Sequence, residues 1–116
     1  MRSLWSTIIN INPVEFLILQ VYAKLQKCGE YVLLAACDEE LLGKTLKDGK
    51  LVFNIREEFY KGPRIAVEEA IELIQESSIV NMVGQNIVTM AIEKGLVHPE
   101  AVLKICGIPH AQIVKI

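Results

Sequence analysis

No Cys-x-x-Cys pair, no short metal-ligand spacing and no complete phosphate-loop motif occurs in this chain of 116 residues. Its three cysteines, Cys28, Cys37 and Cys106, leave one without a mate in any disulfide scheme. That excludes a disulfide-built secreted scaffold and fits a reducing cytoplasm. Positive charge is scarce as well, with 12 Lys and Arg against 14 Asp and Glu. Such a balance lacks the clustered cations that grip a phosphate backbone, which argues against DNA as a partner and against a direct hold on RNA. Lys44, Lys47, Lys50, Arg56, Lys61 and Arg64 are interleaved with Asp38, Glu39, Glu40, Asp48, Glu57 and Glu58, the pattern of a mixed solvated surface. Long apolar runs are absent too. The apolar stretch from Leu4 to Leu19 is interrupted by Asn10, Asn12, Pro13 and Glu15. It falls short of the roughly 18 unbroken apolar residues of a membrane span and is followed by no small-residue cleavage site. The chain therefore reads as cytoplasmic, with no membrane partner.

The residues present are those of a folded domain. A hydrophobic fraction of 52% with 22% charged residues excludes disorder, and the length suffices for one core. Asn12-Pro13 is a break, so residues 1–16 read as an N-terminal extension or a misassigned start, and residues 17–116 as a single α+β domain.

The apolar stretches from about Phe16 to Leu25 and from Tyr31 to Cys37, separated by a turn around Gly29, predict a β-hairpin. Asp38 offers an N-cap, Glu39 and Glu40 suit a first turn, and Gly43 suits a left-handed end, which predicts one short helical turn. Asp48-Gly49 predicts a second hairpin, with Leu51, Phe53 and Ile55 on one buried face. From Ile65 the period changes from two to 3.6. Val67, Ala70, Ile71 and Ile74 form the apolar stripe of an amphipathic helix. Ser77 or Ser78 caps a second helix in this reading, with Val80, Val83, Ile87 and Ala91 on one face and Gly95 at its end. His98-Pro99 forces an extended step, and strands close the chain. The expected class is a small single α+β domain: antiparallel β-hairpins, then two helices, then C-terminal strands.

Two polar clusters interrupt the apolar sequence, each after a run that reads as a strand: Ala35 to Thr45 and Gly107 to Gln112. Side chains at strand ends are where a rigid scaffold carries function. Cys37 with His110 would form a nucleophile and base if the two met, with Asp38 as a carboxylate beside them. The competing reading makes Cys37 a small buried hydrophobe and His110 a hydrogen-bonded turn residue. Cys37, Asp38, His98 and His110 have ligand types that suit zinc, but their spacing provides no ligand pair, so no metal site is assigned. Gly43-Lys44-Thr45 resembles the end of a phosphate loop, yet Asp38 stands where its first glycine belongs. No cofactor is implied. Phe59-Tyr60-Lys61-Gly62 is an aromatic turn suited to docking or to packing on the sheet. Asn81 and Gly84 break an apolar face, and a buried Asn must find hydrogen bonds.

Taken together, the blocks Ala35 to Thr45, Glu58 to Gly62, Asn81 to Gly84, Gly95 to Val97 and Gly107 to Gln112 resemble an uncharacterised archaeal family, domain of unknown function 424. The resemblance runs from about Leu19 to Ile116. It implies a small cytoplasmic archaeal protein and marks Asp38, Glu39, Gly43, Lys44, Tyr60, Asn81, Gly84, Pro109, His110 and Gln112 as motif positions drawn from both halves of the chain. One shared cleft is the resulting expectation. The function expected from the resemblance is a non-enzymatic interaction module of translation or ribosome biogenesis, with a ribonucleoprotein or protein partner. The alternative is a small enzyme using Cys37 or Asp38 with His110, which requires those side chains to converge within about 3 Å of one another or of one water.

Overall fold

The computed structural model describes residues 19–115, so the N-terminal extension expected at residues 1–16 lies outside the described residues. Strands β1 (Gln20–Cys28), β2 (Tyr31–Asp38), β5 (Arg64–Ala66), β6 (Ile79–Val83), β7 (Leu103–Ile105) and β8 (Ile108–Val114) form one sheet in the order β5-β1-β2-β6-β8-β7. The β2–β6 pair is parallel and the others are antiparallel. Strands β3 (Thr45–Asp48) and β4 (Leu51–Asn54) form a separate two-stranded ribbon. Among the described residues three α-helices accompany the strands: α1 (Glu57–Tyr60), α2 (Val67–Glu76) and α3 (Gln85–Glu93). The domain is α+β, with strands predominating, as the sequence predicts.

Alternation along the strands sorts the side chains into two cores. Leu34, Ala36, Val80, Met82 and Ala111 face α2 and α3, where the predicted stripe of Val67, Ala70, Ile71 and Ile74 is buried. Ala35, Cys37 and Val83 face the other way, under Leu41, Ile55 and Tyr60. The sheet is thus covered by helices on one side and by α1 with the β3–β4 ribbon on the other. Gly62 lies so close to β1 that a Cβ there would sit 2.1 Å from the Ala23 carbonyl oxygen, so α1 seats directly on the strand backbone.

The predicted second helix is the main departure. Residues 79–83 form strand β6 instead, and only Ile87 and Ala91 of the expected stripe lie on a helix. A five-residue run that is apolar except for Asn81 fits either period. Here it is a central strand buried on both faces, and Gly84, at φ +125°, ends it one residue before α3. Ser77 and Ser78 do not start a second helix; Ser77 is the C-cap of α2 instead. Ser77 Oγ donates to the Leu73 carbonyl of α2 at 2.6 Å, and Ser78 Oγ accepts from the Val32 amide at 3.1 Å. Likewise Pro109 and His110, expected in a terminal turn, lie within β8.

Candidate functional site

The expected Cys37–His110 pair does not form. Cys37 pairs with Val83 on β6, and Val83 pairs with His110 on β8, so all three side chains project from one sheet face in a row. Two strand spacings put the Cα atoms of Cys37 and His110 roughly 10 Å apart, with Val83 between them. Cys37 is fully buried, and burial, followed by the charges of Asp38 and Glu40, pushes its thiol up to about 12. It is a packed hydrophobe at neutral pH. In the folded protein, iodoacetamide is therefore expected to label the exposed Cys28 and Cys106 and to spare Cys37 until the chain is denatured. Labelling of native Cys37 at a comparable rate, read by peptide mass mapping, would show that the site opens.

Asp38, the next residue, points to the opposite face. Its carboxylate accepts from the Asn86 amide at 2.7 Å and the Ile87 amide at 3.0 Å, the first turn of α3. The predicted N-cap is therefore used on a different helix: the short 3-10 turn Glu39–Leu41 follows Asp38 but receives no bond from its side chain. Burial pushes the Asp38 carboxyl up to about 7, while the two amides pull the other way and Glu40 adds to the rise. Gly84 makes room for this contact, and the Pro109 carbonyl accepts from the Gly84 amide at 2.9 Å. Asp38, Gly84 and Pro109 thus form a staple between β2, β8 and the start of α3, on the other side of the sheet from His110.

The remaining predicted residues divide again. Glu39 pairs with Arg64 across an exposed edge at 3.1 Å. Gly43 and Lys44 fix the base of the ribbon, through the Gly43 amide to the Ile55 carbonyl at 2.7 Å and the Ile55 amide to the Lys44 carbonyl at 2.8 Å. His98 Nδ1 accepts from the Glu100 amide and takes no part in a cluster. Among the described residues no group of three or more His, Cys, Asp or Glu is placed to hold a metal, and no helix is long and apolar enough to cross a membrane.

Tyr60, Asn81, His110 and Gln112 do come together. They line one groove of about 500 Å³ between the β3–β4 ribbon and the sheet face of β6, β7 and β8. Asn81 and Gln112 are register partners, and Gln112 Nε2 donates to Asn81 Oδ1 at 2.6 Å. Half-buried His110 meets the Phe53 ring edge-on, with centroids 4.9 Å apart, and burial lowers its pKa, leaving it neutral at physiological pH. Tyr60 is 3% exposed, and burial, then the Cys37 charge, pushes its phenol up to about 12. The roof is fixed at its tip as well as its base: Asp48 Oδ2 accepts from the Cys106 amide at 3.0 Å, and the Cys106 thiol contacts the Lys47 carbonyl. Phe53, Asn54, Arg56 and Leu103 are among the other lining residues and were not singled out as site residues from sequence. The one available signal was the alternation that assigned Phe53 to a buried strand face.

The chain as a whole has counterparts among known proteins. A family model described as "Protein of unknown function (DUF424)" matches residues 25–116. The crystal structure of an uncharacterized conserved protein from Methanopyrus kandleri is similar at a TM-score of 0.67 and 29% sequence identity, covering 81% of this chain and 90% of that chain. No match to a curated protein was found.

Proposed function

The chain belongs to the DUF424 family of proteins of unknown function, and from that premise we propose that it is a non-enzymatic, cytoplasmic interaction module of translation or ribosome biogenesis. The observation that carries the docking role is the groove, which collects Tyr60, Asn81, His110 and Gln112 from separate parts of the chain under one roof. A concave, mainly apolar site with a few convergent polar groups is the usual form of a binding site. The enzyme alternative is left without its acid–base pair, because Asp38 and His110 occupy opposite faces and Cys37 is two strands from His110. The translational setting comes from the kind of archaeal protein that the chain resembles. The mixed-sign surface, where Arg56, Lys61 and Arg64 are each paired with a glutamate, favours a protein surface of a ribonucleoprotein particle over bare RNA.

Cosedimentation with ribosomal particles in a native archaeal lysate tests this. Comigration that survives moderate salt is expected. Protein found only in the unsedimented fraction at both low and high salt would overturn the translational reading.

A further inference from the structure

We propose that the groove beneath the β3–β4 ribbon binds an extended, uncharged segment of polypeptide, placing one apolar side chain in the groove while the Asn81–Gln112 pair reads a backbone amide. The proposal rests on the reading of this chain as an interaction module and names the chemistry of the partner at its docking site.

The polar groups of the groove match a peptide unit. The bond from Gln112 Nε2 to Asn81 Oδ1 uses one donor hydrogen of Gln112 and one acceptor site of Asn81. It leaves the Asn81 NH2 group as a donor and the Gln112 carbonyl as an acceptor on neighbouring strands. A backbone C=O and N–H are the complement of that pair. Tyr60 adds a third polar group. Its ring is packed edge-on against Phe59, and its hydroxyl has no hydrogen-bond partner among the described residues although the residue is 97% buried and lines the groove. Buried polar groups are hydrogen-bonded with few exceptions, so the unpartnered hydroxyl of this groove-lining residue is a group that a ligand's carbonyl would satisfy.

The charge of the groove selects against a nucleotide. Arg56 is the one permanently charged side chain lining it, and that guanidinium is held by Glu58 at 3.1 Å. The walls are otherwise the apolar side chains of β4 and β7 with Phe53, Phe59 and the neutral His110. A phosphate meets one cation there, already paired with a carboxylate, whereas an extended peptide gains by burying an apolar side chain, and its backbone C=O and N–H, costly to strip of water unpaired, meet the Asn81–Gln112 pair. The apolar surface also continues past the opening, since Leu51, Val52 and Leu103 are each about half exposed. A single base would leave that rim uncovered; a run of several residues covers it.

The test is a titration of the full-length, 15N-labelled protein, followed through its side-chain amide signals, with an acetyl- and amide-capped Ala-Leu-Thr-Leu-Ala peptide and, separately, with adenosine monophosphate. Saturable changes at Asn81 and Gln112 with the peptide, little altered by salt, are expected. Tyr60→Phe is expected to stay folded with an unreduced thermal midpoint, because the hydroxyl it loses has no partner, and to bind the peptide roughly threefold to tenfold more weakly, as the loss of one hydrogen bond implies. No saturable change at Asn81 and Gln112, or a preference for adenosine monophosphate, overturns the proposal, as does undiminished peptide affinity in Tyr60→Phe. Failure here is separable from failure of the translational reading: peptide binding without ribosomal comigration removes only the setting, and comigration without peptide binding removes only the groove's assigned ligand.

Discussion

Asp38→Ala is expected to lower the free energy of unfolding by about 3 kcal/mol, because it removes the acceptor for one buried and one half-buried amide and leaves both unsatisfied at the start of α3. The loss should appear in urea denaturation near pH 6 as an earlier midpoint with an unchanged slope. A midpoint within error of the parent would mean that the α3 terminus finds other partners and that the staple is dispensable. The same carboxyl carries a pH dependence. Burial raises its folded-state pKa to about 7 from an ordinary 3.8, so the folded protein retains a proton that the unfolded chain has already released. The sign follows: this contribution is fully present below about pH 4 and is lost as pH rises through about 7, a swing of the order of 4 kcal/mol at about 1.36 kcal/mol per unit. Asp38→Asn, which cannot ionise, should show a flatter profile, lying nearest the parent at acid pH, where Asp38 is neutral in both states, and gaining on it as pH rises through about 7. Parallel profiles for the two proteins would assign the dependence to other groups.

Gly84→Ala is the second substitution expected to have a large effect, at about 3 kcal/mol or more. A Cβ on Gly84 would lie 2.3 Å from Asp38 Cγ, and the residue's φ of +125° is a conformation that L side chains rarely adopt. The two sources of cost separate in a double-mutant cycle. Asp38→Ala removes the contacts with Cγ and Oδ1 but keeps its own Cβ 2.7 Å from the new one and leaves the backbone strained, so the double variant should be less destabilised than the sum of the singles by about 1–2 kcal/mol. Strict additivity would show that the Asp38 side chain yields freely, and hence that its bonds to α3 hold it weakly.

The Gly84 and Asp38 relationship also marks the limit of what the sequence discloses. Local signals were legible: the hairpin around Gly29, the ribbon at Asp48-Gly49, the α2 stripe and the extended step at His98-Pro99 all appear where the residue pattern places them. What failed was the period of Ile79–Val83, since a five-residue run with one polar residue, Asn81, is too short to tell a strand from a helix. That one assignment controls the site. With β6 a central strand, register sends Asn81 to the groove, and alternation sends Asp38 and His110 to opposite faces. Of the motif positions, Tyr60, Asn81, His110 and Gln112 line one groove; Asp38, Gly84 and Pro109 meet elsewhere, and Gly43 and Lys44 hold the base of the roof. No local pattern encodes which face a strand residue takes once its neighbours come from distant parts of the chain.

The β3–β4 ribbon has a further consequence, for how the molecule breathes. A two-stranded ribbon is at best marginally stable by itself, and this one keeps most of its side chains in solvent. Its position depends on ties at its two ends, at Gly43–Ile55 and at Asp48–Cys106, with Leu46 and Phe53 packed beneath. Native proteins open in units whose free energies range from near zero up to that of global unfolding. The ribbon is built as a low-energy unit, whereas β2 and β6, paired on both sides and buried, belong with the most protected part of the fold. Amide hydrogens of the roof should then exchange far sooner than those of the floor, and the size of what enters the groove is set by how far the ribbon lifts rather than by the closed volume alone.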